Sequence, residues 1–172
     1  MPKQIPFGKP MIGEEERSAV MDVMAGPILV HGPQTVQFEN DFSAFTDAPH
    51  AVSVSSCTAG MHLIYYTLGY GLGDEVIVPT LTFIAPINAI TYNGAEPIFM
   101  DSDDYYNLDT KKSIQFIEQK TDFRDGVTYN KSTWKRISAF VPVHVWGNAC
   151  WLDEVAPLCE ERNIAIIEDA SE

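Results

Sequence analysis

Apolar residues in this chain fall into two kinds of segment, and the two kinds alternate. Where apolar residues recur every three to four positions they predict amphipathic helices, and where they form short continuous runs they predict buried strands. The helical spacing covers residues 14–25, a segment that begins at Pro33, and residues 58–68, 84–92, 110–119 and 152–162. The apolar runs cover residues 50–55, 75–78, 97–101, 137–143 and 164–167, and a hairpin turn is predicted at 124–126.

This order of elements is typical of an α/β fold. Right-handed crossovers between such units produce a mostly parallel sheet with helices on both faces. The last apolar run ends in Glu168 and Asp169, a pattern typical of a central parallel strand whose polar end lies at the ligand-binding edge of the sheet. Residues 101–134 are polar and rich in turn formers, and we interpret them as a surface excursion within one domain.

Composition narrows the possible functions. A formal net charge of −13, from 24 acidic and 11 basic residues, argues against a nucleic-acid-binding surface, because such surfaces need clustered Lys and Arg. The three cysteines form no CxxC pair and the four histidines lack metal-binding spacing, so we expect neither a disulfide framework nor a metal site. No run approaches ~18 apolar residues, and we expect a soluble, cytoplasmic protein without a membrane partner.

Cys57, Thr58 and Ala59 follow one predicted strand and begin the next predicted helix. Unpaired N–H groups at a helix start, a hydroxyl group and the helix dipole together favour binding of a phosphate. The alternative is that Ser56 or Thr58 only caps the helix, as Ser and Thr commonly do.

Asp169 and Phe83 each follow a predicted strand end. A carboxylate at the position of Asp169 either meets a cation, such as a protonated ring nitrogen, or lies exposed at the end of its strand. Phe83 could stack on a planar cofactor, although an aromatic residue there is also typical of a core. His144 and Trp146 follow a third strand and are expected at the same edge of the sheet.

Several short motifs, taken in order, resemble one protein family. They are Gly32-Pro33 with Phe38-Glu39, Ser56-Cys57-Thr58-Ala59-Gly60, Gly73-Asp74-Glu75-Val76-Ile77-Val78-Pro79 with Thr82-Phe83, Gly94-Ala95-Glu96-Pro97 with Asp101, Pro142-Val143-His144 with Gly147, and Glu168-Asp169-Ala170. The series resembles the amino-terminal part of the DegT/DnrJ/EryC1/StrS family of nucleotide-sugar aminotransferases, which use pyridoxal 5'-phosphate on the type I aminotransferase fold.

The resemblance implies a role for each candidate residue. The cofactor phosphate would bind at the start of the helix, at Cys57, Thr58 and Ala59. Phe83 would stack on the cofactor ring, Asp169 would pair with the pyridinium nitrogen, and Glu172 would lie near the phenolic oxygen. Many family members carry Gln or His in place of Glu172.

The resemblance also implies a longer enzyme. The lysine that forms the Schiff base in this family follows the aspartate strand, whereas every lysine here precedes Asp169. We therefore expect a truncated portion, inactive by itself: a partial cofactor-binding large domain, with a helical segment at 1–46 and an α/β core at 47–172, but without the small carboxy-terminal domain.

By resemblance, the whole enzyme would be a homodimer that transfers an amino group, usually from glutamate, to a keto carbon of a nucleotide-linked deoxy sugar. A UDP-linked 4-keto sugar in surface-glycan biosynthesis is the expected substrate. Two alternatives stay open: a sugar 3-dehydratase in which histidine replaces the lysine, and a module that binds a phosphorylated ligand without catalysis.

Overall fold

The structure is a computed structural model that describes residues 8–172. The chain divides into two compact units, one that ends at Ser53 and one that runs from Val54 to Glu172. The helices are α1 (Glu14–Met24), α2 (Pro33–Thr46), α3 (Cys57–Leu68), α4 (Ile84–Tyr92), α5 (Thr110–Lys120) and α6 (Val155–Glu161). The strands are β1 (Asp74–Pro79), β2 (Glu96–Met100), β3 (Thr121–Arg124), β4 (Val127–Asn130), β5 (Arg136–Phe140) and β6 (Ala165–Ile166).

The first unit contains the two helices predicted near the amino terminus. Three glutamates occupy the first turn of α1, where negative charge is favourable next to the helix dipole, and Glu16 accepts the N–H of Gly13 at 2.6 Å. Helix α2 begins with a proline and ends at Asp47 in the left-handed conformation. These features confirm the helices predicted from residue 14 and from Pro33.

The second unit is built on a mixed sheet. Strands β2, β1, β5 and β6 are parallel neighbours in that order, and β3 and β4 form an antiparallel hairpin. Strand β4 pairs with β5 only near Arg136, while β6 pairs with β5 further along, at Ala139 and Phe140. The hairpin and β6 thus share one edge of β5, and the mostly parallel α/β prediction is confirmed.

Every residue of β1 is buried, and its alternating side chains enter two separate hydrophobic clusters. Val76 and Val78 pack in the cluster that includes side chains of α3 and α4, whereas Ile77 packs in the cluster that includes side chains of α5 and α6. Because successive strand residues point to opposite faces, helices cover the sheet on both sides.

Three sequence predictions need correction. Residues 50–55 form no strand: they pair with no other strand in the described part of the chain, and Val52 is 72% exposed. Residues 101–134 are not a surface excursion: the helix and hairpin predicted there form, but they bury Ile117 and Thr128. Strand β6 pairs only with β5 among residues 8–172, so it is an edge strand and not a central one here.

No helix within residues 8–172 has both the length and the apolar character needed to cross a bilayer.

Candidate active site at the carboxyl ends of the strands

Asp169 lies where the parallel pairing of β5 and β6 ends. Its N–H donates to the carbonyl of Pro142 at 2.9 Å, and its carbonyl accepts the N–H of His144 at 3.0 Å. These bonds extend the parallel pairing through a bridge between Val143 and Asp169. Asp169 is only 3% exposed, so the interpretation of Asp169 as an exposed strand end is wrong.

The two carboxylate oxygens of Asp169 have different surroundings. Oδ1 accepts the backbone N–H of Ser171 at 3.1 Å and the thiol of Cys57 at 3.3 Å. Oδ2 accepts no hydrogen bond from any described residue. Because Oδ2 is unpaired and is not among the fully buried unpaired atoms of the described chain, it is the atom available to an N–H group of a ligand.

The amino-terminal end of α3 offers unpaired backbone donors. The hydroxyl of Ser56 accepts the N–H of Ala59 at 3.2 Å, so Ser56 caps this helix as the simpler interpretation proposed. The N–H groups of Cys57 and Thr58 donate to no group within residues 8–172. Free N–H groups at the positive end of a 12-residue helix can bind an anion.

Cys57 joins these two features. It is the first residue of α3, and its sulfur contacts Asp169 although the residue as a whole is exposed. Burial of the thiol raises the pKa of Cys57, and the negative charge of Asp169 raises it further. Cys57 therefore remains a neutral S–H donor to the carboxylate at physiological pH.

The sequence analysis missed Tyr65. This side chain is 0% exposed, and its hydroxyl has no hydrogen-bond partner among the described residues. Burial raises the pKa of Tyr65, with a further contribution from the negative charge of Asp169. Cys57, Met61 and Tyr65 are spaced four residues apart on α3, which places them on one face of the helix; that spacing was the available signal.

Phe83 is the residue immediately before α4 and is 71% exposed. The interpretation of Phe83 as a core residue is therefore wrong. No hydrogen bond or aromatic contact joins it to Asp169 in the described part of the chain, so its ring is free to contact a ligand.

A short loop after β5 carries His144 and Trp146. His144 Nδ1 accepts the N–H of Cys150 at 3.0 Å, which leaves the ring proton on Nε2, 2.9 Å from a carboxylate oxygen of Glu168. The backbone N–H of Trp146 donates to the side chain of Glu172. The candidate residue Glu172 is therefore held at the same edge of the sheet as Asp169.

Asn107, which the sequence analysis also missed, fixes this loop. It is 2% exposed; its amide N–H donates to the carbonyl of Asn148 at 3.0 Å, and its side-chain oxygen accepts the N–H of Val145 at 3.3 Å. Next to it, the Tyr106 and Trp146 rings meet edge to face with centroids 5.0 Å apart. No sequence pattern identifies these contacts, because they join segments about 40 residues apart.

A surface depression of about 380 Å³ lies along α3 and is lined by Val54, Ser55, Ala59, His62, Leu63 and Tyr66. It includes neither Cys57 nor Asp169. We place the candidate site at the carboxylate and the helix start, where charge and unpaired donors occur together, and not in this mainly apolar depression.

The candidate site combines two complementary functions. The start of α3 suits an anionic group, and Oδ2 of Asp169 suits an N–H donor or a cation. Cys57 connects the two, since it contributes a free backbone N–H and a thiol bonded to Asp169. A planar ligand with a phosphate at one end and a protonated ring nitrogen at the other fits this set of groups.

Comparisons with known proteins agree on one family. The DegT/DnrJ/EryC1/StrS aminotransferase family model matches residues 10–172. The chain is 35% identical over 167 residues to the spore coat polysaccharide biosynthesis protein SpsC of Bacillus subtilis (strain 168), a match that covers 97% of this chain and 39% of SpsC.

Solved structures give the same result. S. venezuelae DesV, in complex with a ketimine intermediate, matches with a TM-score of 0.78 at 30% identity, over 91% of this chain and 38% of DesV. The PLP form of Spr1654 from Streptococcus pneumoniae matches with a TM-score of 0.79 at 29% identity, over 99% of this chain and 39% of Spr1654. The predicted partial type I aminotransferase fold is confirmed, and the chain spans about two fifths of these relatives. This chain belongs to the DegT/DnrJ/EryC1/StrS aminotransferase family.

Proposed function

We propose that this chain supplies the cofactor-binding part of a pyridoxal-phosphate-dependent sugar aminotransferase. The observation that carries the proposal is the buried Asp169 carboxylate, which has one oxygen held by two donors and the other free. Family membership and the PLP form of Spr1654 support the same cofactor. When bound, pyridoxal phosphate supplies a ring that accepts electrons from the substrate carbon.

The residues present fit this cofactor. The free N–H groups of Cys57 and Thr58 would hold the phosphate, with help from the dipole of α3. Ala59 was predicted to share this role, but its N–H already bonds to Ser56, so its contribution would be the close approach that a small side chain permits. Asp169 would keep the ring nitrogen protonated, because an adjacent carboxylate favours the charged form.

Phe83 and Glu172 would complete the binding of the ring. The exposed side chain of Phe83 would stack on the ring plane. Glu172, held by the N–H of Trp146, would lie near the phenolic oxygen.

For the substrate, we propose a nucleotide-linked deoxy sugar with a keto carbon, and glutamate as the amino donor. The relationship to a polysaccharide biosynthesis protein supports a sugar substrate. A UDP-linked 4-keto sugar used for surface glycans is the specific candidate. We place the reaction in the cytoplasm and in a homodimer of a longer protein, whose Schiff-base lysine would follow Glu172. We expect these 172 residues alone to bind the cofactor without amino transfer.

Binding of pyridoxal phosphate to the purified chain tests the cofactor proposal. We expect the melting temperature to rise by about 5 °C at a cofactor concentration roughly 100-fold above Kd, together with a change in cofactor absorbance. Asp169→Asn should reduce both effects, whereas Asp153→Asn, at an exposed position, should leave them unchanged. No stabilisation and no spectral change in the unmodified chain would contradict the proposal.

The substrate proposal needs a protein with the complete active site. A longer form that includes the family lysine is expected to aminate a UDP-linked 4-keto sugar with glutamate as donor. Bound cofactor without amination of any keto sugar nucleotide would reject the substrate while leaving the cofactor site intact.

A further inference from the structure

The orientation of the Asp169 carboxylate decides which of its oxygens is hydrogen-bonded and which is free. Rotation about the terminal torsion of an aspartate is soft, so the backbone alone does not decide which oxygen faces a ligand. Two donors converge on Oδ1: the N–H of Ser171, two residues away, and the thiol of Cys57 from α3. Only the thiol comes from a different segment of the chain, so it ties the carboxylate orientation to the helix that begins the proposed phosphate site.

Tyr65 is a second, independent sign that this side of α3 is arranged around a polar ligand. Its hydroxyl is fully buried and has no hydrogen-bond partner among the described residues. A buried unpaired hydroxyl is unfavourable for folding, and unexplained cases of this kind in natural proteins are often linked to function. Tyr65 also shares one face of α3 with Cys57, eight residues earlier.

We propose that the Cys57 thiol, with the Tyr65 hydroxyl two turns further along the same face of α3, positions the Asp169 carboxylate so that Oδ2 is presented to the ring nitrogen of pyridoxal phosphate. This inference rests on the proposed function. Cys57 is thus a positioning residue through its side chain, in addition to any phosphate contact of its backbone N–H. The Tyr65 hydroxyl, unpaired among the described residues, would supply a further donor on the same face of α3.

The chemistry of the three groups agrees with this role. A thiol donates only weakly, so it orients the carboxylate without neutralising its charge. The phenol cannot release its proton at physiological pH, since burial and neighbouring negative charge raise the pKa of Tyr65. Both groups therefore remain neutral and protonated.

Two ligands separate a positioning role from a structural one. We would measure binding of pyridoxal phosphate and of its 1-deaza analogue, in which C–H replaces the ring nitrogen, to the complete 172-residue chain. Cys57→Ala is expected to weaken pyridoxal phosphate binding about tenfold, the loss typical of one hydrogen bond to a charged group. It should leave binding of the 1-deaza analogue unchanged, because that ligand makes no bond to Oδ2.

Three further variants complete the test. Cys57→Ser keeps a donor and should restore binding of pyridoxal phosphate. Tyr65→Phe should weaken pyridoxal phosphate binding selectively, while Tyr66→Phe is the matched control, since Tyr66 is on the same helix and 75% exposed. In an Asp169→Asn background, Cys57→Ala should have no further effect, as expected for coupled residues.

The outcomes distinguish this inference from the proposed function. If Cys57→Ala weakens the binding of both ligands equally, Cys57 only supports α3 and the positioning role is overturned. The same holds if Cys57→Ser binds as poorly as Cys57→Ala, or if neither Cys57→Ala nor Tyr65→Phe changes pyridoxal phosphate binding. An unmodified chain that binds neither ligand would instead reject the proposed function, and this inference with it.

Discussion

The thiol of Cys57 lies 3.3 Å from Oδ1 of Asp169, although 112 residues separate the two in the chain. The contact joins the first residue of α3 to the segment that follows β6. It therefore brings together a candidate anion-binding group and a candidate cation-binding group within one compact unit.

This contact predicts how Cys57 reacts with an alkylating agent. The carboxylate raises the pKa of the thiol, so Asp169→Asn should lower that pKa, populate the reactive thiolate at lower pH and speed alkylation by iodoacetamide. The measurement is the alkylation rate between pH 7 and 10, followed by mass spectrometry. Burial would still hold the pKa of the Cys57 thiol above its ordinary value, so Asp169→Asn should lower this pKa only part of the way to that value.

Glu160→Gln, at an exposed acid, is the control for this experiment and should leave the rate unchanged. Cys150 and Cys159 are buried, and burial raises the pKa of Cys150 to about 11 and that of Cys159 to about 12, so neither should compete with Cys57. An Asp169→Asn rate equal to that of the unmodified chain would show that the charge has no effect on the thiol.

Removing the Tyr65 hydroxyl should separate stability from binding. Without cofactor, Tyr65→Phe removes a buried hydroxyl that has no partner and is expected to raise the free energy of unfolding by about 1 kcal/mol. Urea unfolding measures this value, and Tyr66→Phe at an exposed position should change it little. A clear loss of stability in Tyr65→Phe would show that the hydroxyl has a partner after all.

The ion pair between Asp74 and Arg136 should stabilise the opposite, amino-terminal end of β1. Two guanidinium nitrogens lie 2.5 and 2.8 Å from the Asp74 carboxylate, whose side chain is only 7% exposed. Arg136→Ala would leave this buried charge without its partner, at an expected loss of about 2 kcal/mol in the free energy of unfolding, reduced from the fully buried case because Arg136 is partly exposed.

Arg124→Ala is the matched control, since Arg124 pairs with Asp122 but its side chain is 61% exposed. Urea denaturation measures the free energy of unfolding of both variants. The loss for Arg124→Ala should be below about 1 kcal/mol, much smaller than that for Arg136→Ala. Equal losses would mean that burial of Asp74 contributes nothing.

Asn107→Ala should loosen the loop after β5. The substitution removes a donor to the carbonyl of Asn148 and one of two acceptors for the N–H of Val145, which also donates to the carbonyl of Val143 at 3.1 Å, with an expected loss of about 1 kcal/mol. Hydrogen exchange should show faster exchange at residues 145–148 than in the unmodified chain. Unchanged exchange in Asn107→Ala would contradict the assignment.

The sequence predicted local elements well where periodicity alone determines them. Helix α4 has the predicted bounds, and the hairpin formed where Asp125 and Gly126 allow positive φ. The prediction failed where a strand depends on its neighbour: residues 50–55 have strand-like residues but no partner strand within the described chain. Hydrophobic pattern reports burial of a segment, not which segment it will pair with.

The candidate site was predictable where its residues follow a local pattern and not where they depend on distant contacts. Asp169 and Cys57 stand at strand and helix ends, positions that a one-dimensional pattern identifies. Tyr65 had a local signal in its helical spacing with Cys57, but its unpaired hydroxyl is visible only in the fold. Asn107 acts through hydrogen bonds to a distant segment, and a partner far away in sequence leaves no local signal.

The separation of 112 residues between Cys57 and Asp169 also affects how the unit folds. A contact of this length closes a large loop, and such contacts form late because the entropy of loop closure must be overcome first. We expect helix α3 to form early from local interactions, and Asp169 to reach it only after β5 and β6 have paired. Ligand binding at this site therefore reports that folding of the whole unit is complete, and a partly folded chain would have the helix without the site.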